Sequence, residues 1–590
     1  MIKTILDFLP YQIEHFPQED ALCCKEDGKW KKYSSQECKN IIDKVSVGLI
    51  NSGIVKGDKI AIISNNRPEW NFIDLGVLQV GGVGVPMYPN ITEKEYEFIF
   101  NEAEVKLVFV SDEEIYNKVK NIRNNCPTLI EVYSFNIIQN VKNWKDILGE
   151  VGENETKKLV AMKNLVKEDD LATIIYTSGT TGGQKGVMLS HKNIVSNAIS
   201  IQQTMPHGKQ HKALSFLPLC HIFERTAIYF YMSVGTSVYY AESLDTIVDN
   251  LKEVKPDFFI TVPRLLEKVY EKIIVTGRGL TGLKKSIFFW AVNIGLDFDD
   301  KGNNGSWYNF KLGIARKLVF SKWQAALGGN VKGIIVGAAA LQVRLGKIFT
   351  AAGIPVREGY GLTESSPVLT DNRFEKGGYQ FGTVGKTIPN VELKIAENGE
   401  ILARGPNIMM GYYKRPELNE VTIDSDGWLH TGDVGEFVEG DFLKITDRLK
   451  QIFKTSGGKY IAPQPLENKL KESFFIEQAM VIGENRKYPA ALIIPSFPYV
   501  KNWCEIKGIK CGTNEELINC EGLQERIWQD VEEMNVEFGK TRKIKKIKLI
   551  ADDWTVDSGE LTPTQKVKRK VILKKYEDLI EQMYAEEKTE

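Results

Sequence analysis

The sequence predicts an α/β protein. It would have a large N-terminal domain with mainly parallel sheets and flanking helices, then a small mobile α+β C-terminal domain. Three observations carry that expectation. From about residue 58, short β-rich runs alternate with stretches of helical period, as repeated strand–helix–strand units require. The 590 residues exceed what one hydrophobic core usually holds. After about Arg448 the pattern changes to short strands mixed with helices.

The strands of the large domain read as "KIAIIS" (59–64), "VGVPMY" (83–88), "VKLVFV" (105–110), "LATIIY" (171–176), "ALSFLP" (213–218), "DFFITV" (257–262) and "VKGIIV" (331–336). Near-continuous apolar runs suit strands covered on both faces, as in parallel sheets. "TEKEYEFIFNEAE" (92–104) and "SLDTIVDNLKEV" (243–254) read as intervening helices. Beyond the change of character, "QAMVIG", "ALIIPS" and "IKKIKLI" read as strands. The closing "VILKKYEDLIEQMYAEE" reads as one helix, with Ile572, Tyr576, Leu579, Ile580 and Met583 on a single face. A boundary near "TDRLKQ" divides the chain into domains 1–449 and 450–590.

Bulk properties exclude several classes. Hydrophobic residues at 43% and charged residues at 26% describe an ordinary soluble protein. A net charge of −1 gives no overall pull toward nucleic acid or an anionic membrane. The 8 cysteines show no CxxC or Cys/His ligand spacing, so free thiols in a reducing compartment are expected rather than zinc. "MIKTILDFLPYQIEHF" lacks the form of a signal peptide, because Asp7 and Pro10 interrupt its apolar run. "AIYFYMSVGTSVYY" and "SIFFWAVNIGL" fall short of the roughly 20 residues that span a bilayer. The expectation is a soluble, cytoplasmic protein.

The chemistry concentrates in "YTSGTTGGQKGVMLSH", Tyr176 to His191. Thr177, Ser178, Gly179, Thr180, Thr181, Gly182 and Gly183 follow a buried strand and offer four hydroxyls with several backbone N–H groups. Glycines let backbone approach an anion closely, and successive amides form a nest for phosphate oxygens. Lys185 adds a mobile positive charge, and the helix suggested by "SHKNIVSNAIS" is expected to begin behind the loop. A Walker A loop is excluded, because Gly186 rather than Ser or Thr follows the lysine. A plain flexible connection rarely follows a buried strand and rarely carries lysine.

On these residues the chain resembles the adenylate-forming acyl-CoA synthetases and their luciferase and peptide-synthetase adenylation relatives. The resemblance implies that this loop binds the ATP pyrophosphate. "GYGLTESSP" (359–367) is the next segment in the expected order. A tyrosine face can stack on adenine, and a carboxylate can hold magnesium bridging phosphate oxygens. The resemblance implies Tyr360 and Gly361 at the nucleotide, Thr363 on the α-phosphate and Glu364 on Mg2+, which Thr177 shares. It also places Gly337 and Ala338 of "VGAAAL" beside adenine and the acyl group.

"GWLHTGDVG" (427–435) offers Asp433, a carboxylate suited to two ribose hydroxyls. The resemblance adds Arg448 on the ribose and Lys450 as a hinge. Gly457, Gly458 and Lys459 of "SGGKYI" then form a loop on the coenzyme A side. "GELTPTQKVKRK" supplies Lys566 as the catalytic lysine, with Arg569 three residues on. "FLPLCHIFERT", "TVPRLLEKVY" and "RKLVFSKWQAALGG" resemble segments of bacterial and other long-chain fatty acyl-CoA synthetases. His221 would lie near the acyl carboxylate. Arg225 stands where some bacterial relatives carry a tryptophan proposed as a tunnel gate.

The resemblance implies a ligase of fatty acid and lipid metabolism, an AMP-forming long-chain fatty acid–CoA ligase working in two half-reactions. Mg·ATP and the acid would give acyl-AMP and pyrophosphate, and coenzyme A would then take the acyl group and release AMP. Transfer to a carrier protein and a non-catalytic lipid-binding role are the rival readings. A peripheral contact with the inner face of a membrane is a further expectation, through "KTRKIKKIK" (540–548), although a solvated strand edge accounts for those lysines equally well.

Overall fold

The computed structural model describes residues 2–178, 184–206, 210–509, 512–555, 558–562 and 567–585, and for Ser178 the backbone alone. The chain forms two compact units. The first comprises Met1–Lys394, Leu402–Thr431 and Phe437–Leu443, and the second Ile395–Ile401, Gly432–Glu436 and Lys444–Glu590.

Two mainly parallel sheets build the first unit. In one, the strands run in the order Gly411–Tyr412, Gln184–Ser190, Leu171–Ser178, Val83–Met87, Lys59–Ile63, Val105–Val110 and Glu131–Ser134. The last five are parallel, and the first two add antiparallel at one edge. The central runs are buried throughout, with Ile60, Ala61, Val85, Val108 and Ile174 fully covered. That explains their uninterrupted apolar character. The second sheet is parallel from Val356–Gly361 through Gly333–Val336, Phe258–Thr261, Lys212–Ser215 and Ser237–Tyr240 to Leu22–Glu26. Strand Lys29–Tyr33 closes that edge as an antiparallel hairpin with Leu22–Glu26, a pair that the alternation beginning near residue 58 does not include.

All seven expected strands of the large domain form. Helix Glu93–Ala103 starts at a capping box, with the Thr92 hydroxyl accepting from the Glu95 N–H. One expectation is filled in and one is corrected. The helix expected behind the glycine loop forms as His191–Gln202, and strand Gln184–Ser190 stands between loop and helix, pairing antiparallel with Leu171–Ser178 and placing Thr177 opposite Lys185. The cause is the alternation in "KGVMLS", which turns Val187 and Leu189 into the core before helix His191–Gln202 begins. The closing helix is also two helices, Arg569–Lys575 and Glu577–Ala585, joined at Tyr576 with φ −109° and ψ 25°. Lys575 pairs with Asp552 and Glu560, and the Tyr576 hydroxyl donates to Asp552. These anchors draw the chain out of line while Ile572, Ile580 and Met583 stay buried.

In the second unit, Ile476–Ile482, Ala490–Pro495 and Lys546–Leu549 form a three-stranded sheet around its own core. Ile544 and Ile547 of "KTRKIKKIK" are buried in that core, and the sheet-edge position accounts for the intervening lysines. Among the described residues, no helix is long and apolar enough to cross a membrane.

Helix Ile222–Val234 is held by a buried ion pair. Arg225 donates to Asp74 on helix Pro68–Gln79 at 2.5 Å and to the Thr173 hydroxyl at 2.8 Å. The Tyr229 hydroxyl donates to the same carboxylate at 2.5 Å, and Thr173 donates on to the Gly84 carbonyl at 2.7 Å. Arg225 and Asp74 are each 1% exposed. Arg225 is therefore committed to the core and offers no side chain for a tunnel gate.

Its neighbour Glu224 is equally buried. Burial pushes its carboxyl up to about 8 from the ordinary 4.5, with the Ser215 hydroxyl pulling the other way.

Asp74→Ala leaves a buried guanidinium uncompensated, and it should cost about 3–5 kcal/mol of stability in denaturant unfolding. Asp74→Ala unfolding at the wild-type midpoint would show the pair to be dispensable. For Glu224, the native state binds one more proton than the unfolded chain between pH 4.5 and about 8. Its contribution, full below the lower value, is lost as pH rises through that window. Glu224→Gln stays neutral, so its stability should fall less than wild type over the same interval in parallel thermal melts.

Candidate active site

Elements of the first unit converge on the turn Thr363–Ser365. Strand Val356–Gly361 delivers it and pairs antiparallel with Val368–Asp371. Gly361 is required there, since a Cβ would stand 1.8 Å from the Pro367 carbonyl oxygen. Side-chain amides hold the far side of the turn. Asn407 donates to the Ser365 carbonyl at 2.8 Å, and Asn197 donates to the Val368 carbonyl at 2.7 Å. The Thr226 hydroxyl reaches the Ser366 carbonyl at 3.2 Å. Thr363 is buried in this frame, and Tyr360 packs partly buried against the core.

Glu364 meets a residue that the motif reading does not single out. The Tyr412 hydroxyl donates to its Oε1 at 2.8 Å, and the Met409 N–H donates to its backbone carbonyl at 2.9 Å. Tyr412 lies on the short strand that pairs with Gln184–Ser190, opposite Val187. The Lys185 ammonium sits over the Tyr412 ring, 4.5 Å from its centroid. A single tyrosine thus couples the lysine of the glycine hairpin to the carboxylate of the "TES" turn. Asn197, Asn407 and Tyr412 share one legible signal, a polar group or hydroxyl set among apolar neighbours in "IVSNAIS" and "PNIMMGYY".

The hairpin flanks are described and its tip is not. Thr177 and Lys185 face each other across the ladder, whereas Gly179, Thr180, Thr181 and Gly182 lie outside the described residues, as does the Ser178 side chain. Gly186 admits the Ile174 and Tyr176 side chains, which a Cβ would meet at 2.6 and 3.1 Å.

His221 and the "VGAAAL" segment come together through Phe223. His221 caps helix Ile222–Val234, its Nδ1 accepting from the Phe223 N–H at 3.2 Å, which leaves the ring proton on Nε2. The Phe223 ring covers Gly337 so closely that a Cβ would lie 2.9 Å from it. Ala338 follows in the left-handed region at φ 69°, a conformation a non-glycine residue adopts at a cost of order 1 kcal/mol. The Leu341 N–H donates to Glu358 at 2.8 Å, and burial pushes that carboxyl up to about 8.

The second unit holds the remaining residues. Arg448 Nε, at the end of strand Phe442–Arg448, stands 2.9 Å from Asp433 Oδ1 in the middle of strand Leu429–Val438, and Asp433 is buried. Lys450 is exposed one residue past Leu449, whose N–H donates to the Gly432 carbonyl. Gly457, Gly458 and Lys459 form the exposed tip of a hairpin between Phe453–Lys454 and Tyr460–Ile461, with Gly458 at φ 77°. Lys566 lies outside the described residues, between Leu561 and Val567, which bridge antiparallel. Arg569 is bound to Glu467 and to the Val481 carbonyl, so it anchors the helix after Lys566.

Among the described residues, no three His, Cys, Asp or Glu side chains gather to hold a metal. A cage built wholly from protein is not required for magnesium, which takes one or two carboxylates with phosphate and water oxygens. Glu364, half-buried with its Oε1 fixed by a hydroxyl, fits that donor set.

Comparison with known proteins agrees with this geometry. A family described as AMP-binding enzyme matches residues 9–413, and the AMP-binding enzyme C-terminal domain matches residues 450–588. The long-chain-fatty-acid–CoA ligase FadD15 of Mycobacterium tuberculosis is 33% identical over 568 residues, covering 95% of this chain and 94% of its own. Human long-chain-fatty-acid–CoA ligase 1 is 30% identical, covering 95% and 83%. The crystal structure of a carboxylate reductase adenylation domain from Mycobacterium chelonae superposes with a TM-score of 0.78 at 20% identity, covering 99% and 91%. With the glycine hairpin, the "TES" turn and the paired Asp433 and Arg448 all present, the chain belongs to the AMP-binding enzyme family.

Proposed function

We propose that the protein is an AMP-forming long-chain fatty acid–CoA ligase, and that the residues assembled above divide its two half-reactions between them. The observation that carries this reading is the run from Lys185 through Tyr412 to Glu364, a cation and a carboxylate held in register beside a glycine-rich hairpin. Relatives named as long-chain ligases match over 95% of the chain. That favours free coenzyme A as acceptor over a carrier protein.

In the first half-reaction a fatty carboxylate attacks the α-phosphorus of ATP, and pyrophosphate leaves. We assign Thr177 through Gly182, with Lys185, to the β- and γ-phosphates, Thr363 to the α-phosphate and Tyr360 with Gly361 to the adenine side. Gly337 and Ala338 line adenine and the acyl group, His221 orients the carboxylate, and Asp433 with Arg448 holds the ribose. Magnesium, held through Glu364 and Thr177, would neutralise charge on the phosphate oxygens. Lys566 would bridge carboxylate and α-phosphate, stabilising charge that develops at phosphorus. In the second half-reaction the 450–590 domain turns about Lys450, withdrawing Lys566. The Gly457–Gly458 tip then meets the thiol, which attacks the acyl carbonyl as AMP departs.

The overall reaction is checked by AMP release that requires ATP, a long-chain acid and coenzyme A together. AMP formed at full rate without coenzyme A would point to hydrolysis of the adenylate instead. Lys566→Ala should slow acid-dependent ATP–pyrophosphate exchange by about 10²–10³-fold, and unchanged exchange would remove its assignment. Lys450→Pro should leave exchange within a few fold of wild type while thioester formation collapses, whereas equal loss of both would exclude a hinge there.

A further inference from the structure

The helical segment 305–326 carries two apolar stripes, and the core needs only one. It comprises helix Gly305–Ala315, a π-turn Arg316–Phe320 and helix Ser321–Ala326. Tyr308, Leu312, Ala315 and Val319 face inward and are buried. The other stripe is exposed: Trp307 at 69%, Phe310 at 59%, Ile314 at 38% and Leu318 at 48%. Their spacing of three, four and four residues aligns them on one face of a helix. Trp307 and Phe310 stack at 5.5 Å with an interplanar angle of 17°, forming a single aromatic plate that faces solvent.

Charge identifies what such a face would meet. Lys311, Arg316, Lys317 and Lys322 lie along the segment, and no acidic residue occurs from Lys301 to Arg357 in a chain whose net charge is −1. The nearest preceding acids, Asp297, Asp299 and Asp300, come before the helix starts. An exposed row of Trp, Phe, Ile and Leu flanked by cations matches the interfacial helices that lie in the headgroup layer. Aromatic rings favour that depth, and the cations are drawn to anionic lipid. A soluble protein partner would explain the apolar row but gives no reason for a stretch free of acids.

We infer that the helix face formed by Trp307, Phe310, Ile314 and Leu318 is a docking surface for an anionic phospholipid bilayer. It differs from the "KTRKIKKIK" edge, whose isoleucines are buried and which therefore has nothing to insert. Docking there would hold the protein at the phase in which long-chain acids dissolve. That benefit rests on the proposed function, but the binding itself does not.

The test is sedimentation of the full chain with phosphatidylglycerol vesicles or phosphatidylcholine vesicles at low salt, without ATP, acid or coenzyme A. Wild type should pellet with the anionic vesicles and far less with the neutral ones. The double variant Trp307→Ser, Phe310→Ser should bind about tenfold or more weakly, as should Lys311→Glu, Lys317→Glu. Lys545→Glu, Lys548→Glu should bind like wild type. Adenylate formation from a short, water-soluble acid should survive in the aromatic variant, showing that its fold is intact. Wild type remaining in the supernatant, or the aromatic variant pelleting as wild type does, would overturn the inference. So would sedimentation velocity showing a wild-type dimer that the aromatic variant abolishes without any vesicle binding, because the face would then be a subunit contact.

Discussion

The buried pair of Arg225 and Asp74 is the constraint on which the first unit depends. Arg225 ties helix Ile222–Val234 to helix Pro68–Gln79 and, through Thr173, to the strand that leads into the glycine hairpin. The same helix begins at His221 and presses Phe223 onto Gly337. One guanidinium therefore links the hairpin strand to the helix whose Phe223 covers Gly337. Such a pair is a weak source of net stability, since two ions must leave water, but it tolerates few alternative arrangements. A guanidinium that found no carboxylate there would cost far more than a misplaced leucine.

The strands flanking the glycine loop bring together two of the residues assigned to phosphate under the proposed function. Two antiparallel strands place Thr177 and Lys185 opposite each other. Lys185 does not stand alone, because its charge rests on the Tyr412 ring whose hydroxyl grips Glu364. Cation and carboxylate are thereby both held to one tyrosine. The "TES" turn is equally preorganised, its carbonyls taken up by Asn197, Asn407 and Thr226. Preorganised donors and charges do not need to be reoriented when the reaction begins.

The second unit is built on different lines. Its small sheet packs on its own apolar core, and Arg569 secures the helix after Lys566 to Glu467 and the Val481 carbonyl. Asp433 and Arg448 meet across two strands, and Gly457 and Gly458 are exposed at a hairpin tip.

Strand positions in the large domain, the glycine and hydroxyl loop and the family to which the chain belongs could all be read from the linear order of residues. Apolar runs long enough to be covered on two faces have few other places to go, and a crowd of glycines with one lysine is chemically distinctive without coordinates. The strand after the loop was hidden because "KGVMLS" is short and merges into a helical period. The break at Tyr576 was hidden because its cause, Asp552 and Glu560, lies in another stretch of chain. Tyr412 is 227 residues from Lys185 by number and within reach of it only through the pairing of edge strands. Arg225 is drawn into the core by an aspartate 151 residues earlier. Local periodicity and composition act within a few residues, and they sufficed for elements and motifs. Which side chains share a carboxylate, and which aromatic face is left open to solvent, depends on packing between distant segments, so those were settled only when the chain had folded.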